Sequence, residues 1–232
     1  MGFDVEGEKN MDDLNTLITL FTNNRNPENA GPMQKYMRDQ FPFLGIKTPK
    51  RKELLKEFYE NSGILKKEFQ PHFVLSLWQL DEREYQYAAL HYIEKSLKKL
   101  QKEDLNLMEK LITTKSWWDT VDVIAPKPVG KIAADNPEII PEVIEGWAYG
   151  NHLWLRRSAI LFQLKYKAQT NEELLFRYIK QNAEDKEFFI QKAIGWALRE
   201  YSKTNPKSVK EFIESTTLSN LSVREGSKYI KD

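Results

Sequence analysis

The sequence predicts an all-α fold arranged as a helical-repeat solenoid, on three observations. Apolar residues recur at helical spacing through most of the 232 residues. No convincing alternating strand and no Asn-Gly or Asp-Gly hairpin interrupts them. A large apolar residue followed one turn later by alanine recurs as Tyr85/Ala89, Val121/Ala125, Leu155/Ala159 and Phe189/Ala193, with the alanines 36, 34 and 34 residues apart. That is the scale of a two-helix repeat. Alanine on an inner face lets the next helix approach closely, and stacked helix pairs bend into a concave groove suited to an elongated partner.

Each element has its own signal. Helical runs cover 11–23, 32–41, 49–60 and 70–80, with loops at 24–31 and 61–70. Asp81 precedes the amphipathic run EREYQYAALHYIEKSLKKL. Further runs span 104–114, 116–125, 137–149, 151–167, 171–183, 187–203, 206–215 and 219–230. Thr48-Pro49, Asn136-Pro137 and Asn205-Pro206 each set an N-cap candidate before a proline suited to the first helical position. Ser116 is a fourth cap candidate. Residues 1–10 are expected to be a disordered extension, and 11–232 a single domain with no internal boundary.

Composition narrows the function. With 35 Lys+Arg against 34 Asp+Glu the net charge is +1, so any polyanion-binding surface must come from segregated charge. The segregation exists. Residues 47–56 carry five bases and one acid, 95–102 carry four bases alone, and 146–171 hold Arg156, Arg157, Lys165 and Lys167 without an acid. One such cluster is ordinary for a solvated helix face; several on one surface would suit a phosphate backbone. The absence of Cys excludes disulfides and thiolate metal sites. The longest charge-free stretch, Phe69 to Leu80, is too short to span a bilayer, and the acidic start lacks a signal-peptide pattern. A cytoplasmic protein is expected.

Familiar catalytic motifs are missing. His72, His91 and His152 are isolated, with no zinc spacing, and neither a Walker loop nor GxGxxG occurs. The unusual stretch is Lys115-Ser116-Trp117-Trp118-Asp119-Thr120-Val121-Asp122. Trp118 and Asp122 are four residues apart and share a helix face, while Trp117 and Val121 form the adjacent row. One row can pack inward while the other presents an indole beside a carboxylate; the bland alternative is buried tryptophans and solvated aspartates. Trp196 with Arg199, Trp154 before Arg156 and Arg157, and Tyr36 between Lys35 and Arg38 could join that face. Aromatic faces and a carboxylate suit a cationic group, and the surrounding bases suit phosphates.

The segments FLGIKTPKRKELLK (43–56), KSWWDTVDVIAP (115–126), LWLRRSAILFQLKYK (153–167), EELLFRYI (172–179) and KEFFIQKAIGWALREYSKTNP (186–206) resemble the AlkD family of alkylpurine DNA glycosylases, from about Leu14 to Ile230. The resemblance implies a HEAT-like solenoid whose concave basic face holds double-stranded DNA. It implies hydrolysis of the N-glycosidic bond of cationic N3- and N7-alkylated purines, with no metal or other cofactor, acting on a bacterial chromosome. A monomer is expected, and no protein partner is inferred. Trp118 and Asp122 match the family's catalytic tryptophan and aspartate, and Trp196 and Tyr36 its other active-site aromatics. Arg157 matches a backbone-contacting arginine. Arg199 would touch phosphate, as would Thr48, Lys52 and Lys56. The damaged base would stay in the duplex while the protein grips the backbone around it. A non-catalytic DNA-structure binder or protein scaffold of the same fold is the alternative.

Overall fold

The computed structural model describes residues 5–230. Every regular element among the described residues is helical, as expected. The chain divides into two compact units, 1–100 and 101–232. The four repeat alanines, Ala89, Ala125, Ala159 and Ala193, are all 2% exposed or less, so each sits where a larger side chain would hold neighbouring helices apart.

The first unit contains α1 (Val5–Asn23), α2 (Pro27–Tyr36), α3 (Thr48–Ser62), α4 (Pro71–Gln79) and α5 (Arg83–Lys95). Helix α1 packs on α3 and α4, and α5 packs on α3 and α4. Residues 5–10 of the expected extension belong to α1, and residues 1–4 lie outside the described residues. Helix α2 begins five residues before the expected start, because Asn26 accepts a hydrogen bond from Asn29 N at 3.2 Å and Pro27 occupies the first turn. It ends early because Arg38 and Asp39 turn left-handed, with φ of 55° and 57°. The cap of α3 is Lys47 rather than Thr48, which is already helical.

The segment before α3 is held by one buried acid. Glu84, 0% exposed, accepts hydrogen bonds from Leu44 N (2.9 Å), Gly45 N (2.8 Å) and Ile46 N (3.0 Å). Three charge-assisted bonds offset the desolvation of the carboxylate. Gly45 has φ of 88°, and a Cβ there would lie 1.9 Å from Asn26 O. Only glycine permits this approach, which brings Leu44 O within 2.8 Å of Asn26 N.

The second unit contains α6 (Leu105–Thr113), α7 (Trp118–Ile124), α8 (Gly130–Asp135), α9 (Glu145–Tyr149), α10 (Leu153–Leu161), α11 (Glu172–Asn182), α12 (Phe188–Ser202), α13 (Pro206–Ser215) and α14 (Asn220–Gly226). Helix α10 packs against α6, α7, α9, α11 and α12, and α12 against α13 and α14. Prolines modify two helices instead of ending them. Pro126 and Pro128 sit in a π-helical turn, Ala125–Val129, closed by Gly130 N donating to Ala125 O. Pro141 sits in another, Ile140–Ile144, closed by Glu145 N donating to Ile140 O. Lacking an N–H, proline breaks the ordinary ladder, and the widened turn restores a partner one residue further back. The helix expected at 116–125 therefore runs on through α8 to Asp135. Asn205 caps α13, accepting from Ser208 N at 3.2 Å. Asn136 does not cap forward; its side chain donates to Ile132 O at 3.0 Å, closing α8.

Candidate active site

The tryptophan pair enters α7 through a tight turn. Lys115 is left-handed, with φ of 48°. Ser116 Oγ donates to Ile112 O at 2.6 Å, closing α6 rather than capping α7; the cap position falls to Trp117. From there the two rows separate. Val121 is fully buried, and the Trp117 ring packs 5.9 Å from Trp154 and 5.3 Å from Phe189 between centroids. Trp154 and Phe189 are themselves 4.9 Å apart, so three rings from α7, α10 and α12 and their flanks form one aromatic wedge. Trp118 and Asp122, on the other row, remain half-buried.

Asp122 is met by Arg157 from α10. Arg157 Nε donates to Asp122 Oδ1 at 2.8 Å and Nη2 to Oδ2 at 2.9 Å, a two-pronged pair of planar groups. Arg157 Nη1 donates to the carbonyl of Phe189. The arginine side chain is 5% exposed and the aspartate 19%. Burial pushes the Asp122 carboxyl above the usual aspartate range, the hydrogen bonds and charge of Arg157 pull it down, and the Asp119 charge adds to the upward push. The result is a carboxylate fixed in direction, with an edge still reachable by solvent. The adjacent Arg156 pairs with Asp185. The acid-free run 146–171 thus gives up both arginines to acids from other segments.

Helix α12 supplies a second face. Trp196 is half-buried and packs against the core of this unit, which includes Ile160, Ile194 and Leu198. Arg199 Nη1 donates to Glu225 Oε2 of α14 at 3.1 Å, and Lys192 Nζ lies 3.3 Å from Glu225 Oε1. Asp122, Trp118, Arg157, Trp196 and Arg199 all belong to the second unit, on α7, α10 and α12. Tyr36, Thr48, Lys52 and Lys56 belong to the first. There Tyr36 is 72% exposed, Thr48 Oγ1 accepts from Arg51 Nη2 at 3.3 Å, and Lys56 lies 3.8 Å from Glu60.

A family model for DNA alkylation repair enzymes matches residues 17–230, across both units. The chain belongs to this family. A solved structure from Enterococcus faecalis, described as a predicted DNA alkylation repair enzyme, is 37% identical over 90% of this chain and 97% of that one, with a TM-score of 0.79. The structure of smu.31 from Streptococcus mutans UA159 is 21% identical, covers 78% of this chain and 98% of that one, and has a TM-score of 0.58; it shares the fold. No match was found among curated proteins.

In this DNA alkylation repair enzyme the sequence reading picked out both members of the central pair but not their contact. Asp122 and Arg157 are 35 positions apart on different helices, and nothing in either segment marks the bond. The Phe189 carbonyl and Glu225 were also missed. The first is a backbone group, and the second lies in an unremarkable SVREG stretch. No described helix is long and apolar enough to cross a membrane.

Proposed function

We propose that this DNA alkylation repair enzyme is a monofunctional, metal-independent glycosylase that releases cationic N3- and N7-alkylated purines from duplex DNA. The observation that carries the proposal is the Asp122 carboxylate, oriented by two hydrogen bonds from buried Arg157 and left accessible on the row of Trp118.

The chemistry follows from charge. Alkylation at N3 or N7 gives the purine a formal positive charge. When the C1′–N bond breaks, its electron pair goes to the base, which departs neutral, and positive charge moves onto the deoxyribose. Asp122 faces that developing charge and helps to place a water molecule. The water oxygen bonds to C1′, and its proton leaves to solvent through the carboxylate. The leaving group already carries its charge, so no general acid is required. The ring faces of Trp118, Trp196 and Tyr36 hold the sugar and backbone beside the lesion. Arg199, Thr48, Lys52 and Lys56 contact phosphates. Arg157, buried and committed to Asp122, is a positioning residue in this scheme rather than a surface phosphate contact. The substrate is a bacterial chromosome, and the enzyme acts as a cytoplasmic monomer.

The test is incubation with a duplex containing 7-methylguanine, measuring free base and the abasic site left behind. Release of 7-methylguanine from the duplex, with DNA affinity falling steeply as salt rises, is expected. Tight DNA binding without release would leave a DNA-structure binder, and absence of binding a protein scaffold.

A further inference from the structure

Trp196 lies between two cations that share one acid. Lys192, Trp196 and Arg199 fall at spacings of four and three along α12, so they line one face of that helix. Glu225 reaches both cations, with Oε1 3.3 Å from Lys192 Nζ and Oε2 3.1 Å from Arg199 Nη1. A carboxylate can span residues two turns apart only if its stem sits over the middle of that stretch. It does: a Cβ added to Gly195 would meet the Glu225 Cβ at 2.6 Å and Ser222 O at 3.3 Å. Gly195 thus makes the berth in which Glu225 stands, next to Trp196. Helix α14 is pinned there by Ser222 Oγ, which donates to Gln191 O at 2.9 Å, and by close packing of Gly226 on Leu198.

We propose that Glu225 is an internal competitor for phosphate that keeps Lys192 and Arg199 engaged and so limits the grip on duplex DNA. The inference rests on the DNA-binding part of the function proposed above. All three side chains are partly exposed, at 37% for Lys192, 26% for Arg199 and 21% for Glu225. A phosphate can therefore reach them, but it arrives beside a carboxylate. Each oxygen of Glu225 is already held by one cation, and its charge repels the phosphate that would replace it. The two lysine and arginine charges near Trp196 then count for less than two in counterion release. Binding to ordinary DNA stays weak, and departure from the abasic product stays fast.

The experiment compares wild type, Glu225→Gln and Glu225→Asp on an undamaged duplex across a salt series, with melting temperatures alongside. Glu225→Gln removes the competing charge. Glu225→Asp keeps the charge but is one methylene too short to reach both cations. The expected result is tighter binding at low salt, roughly three- to tenfold for Glu225→Gln and less for Glu225→Asp, with a log–log salt slope steeper by up to about 0.9 for each phosphate gained. Multiple-turnover base release should slow more than single-turnover release. Adding Arg199→Gln to Glu225→Gln should erase most of the gain. Unchanged or weaker binding by folded variants would overturn the proposal and make Glu225 a mere support for the two cations. Loss of folding in both variants would overturn it too, making Glu225 a fold-holding residue. The readout is affinity for undamaged DNA. If wild type released no 7-methylguanine yet Glu225→Gln bound DNA more tightly, the glycosylase assignment would fall and this one would stand.

Discussion

Replacing Arg157 with methionine removes the group that orients Asp122 while keeping most of the volume and stem. The lost interactions are two charge-assisted hydrogen bonds of 2.8 and 2.9 Å, made by an arginine side chain that is 5% exposed. Breaking such a buried pair from one side costs about 3–5 kcal/mol, because the remaining charge keeps its desolvation penalty. Asp122 retains a solvent-reachable edge, so the lower end applies, about 3 kcal/mol. At about 2–4 °C per kcal/mol for a chain of this size, the melting temperature should drop by roughly 6–12 °C at neutral pH. The deficit should depend on pH. Burial already holds the Asp122 carboxyl above its ordinary range, and loss of Arg157 removes the influences that pull it down. The folded variant then binds a proton over a window in which the unfolded chain does not, so its stability falls as pH rises through that window and recovers as pH is lowered. Base release should show the mirror effect, because only the ionised carboxylate works: the acid limb of the single-turnover rate moves toward neutral pH in Arg157→Met. Melting curves and release rates from about pH 5 to 8 provide the assay. A melting temperature within about 2 °C of wild type, together with an unmoved acid limb, would refute the positioning role.

Two further outcomes concern the first unit. Gly45→Ala should lose about 2–4 kcal/mol in thermal or denaturant unfolding, because φ of 88° and a 1.9 Å approach to Asn26 O leave no room for a methyl group. Glu84→Gln should lose about 2–3 kcal/mol, since the amide can accept from Gly45 N and Ile46 N only by turning its own NH2 toward Leu44 N. Both losses should appear at pH 7 by circular dichroism, and wild-type stability in either variant would contradict the cradle.

The helical class was legible because the periodicity is local, and the repeat because alanine marks the tight contacts at a near-constant spacing. What failed was punctuation. The expected helix 116–125 stops short of Pro126, yet Pro126 and Pro128 are absorbed by a π turn closed by a bond to the fifth preceding residue. Ser116 and Asn136 read as forward caps, but both side chains turn back onto the helix they end. A side chain with the right polar atoms cannot announce which of two adjacent helix ends it serves. At the site, the split of Trp117 and Trp118 between two rows was readable from spacing. The commitments of Arg156 to Asp185 and of Arg157 to Asp122 were not, because a run free of acids in sequence can be met by acids in space.

The most direct measurement is single-turnover release of 7-methylguanine by wild type, Asp122→Asn and Asp119→Asn, with melting temperatures beside the rates. Asn keeps the size of the side chain and removes its charge. If the carboxylate stabilises a cationic sugar, Asp122→Asn should be slower by roughly 10²–10³-fold with DNA affinity nearly unchanged, and Asp119→Asn should release base at close to the wild-type rate. Equal rates for wild type and Asp122→Asn would contradict the mechanism, and a defect confined to Asp119→Asn would place the chemistry on the other carboxylate.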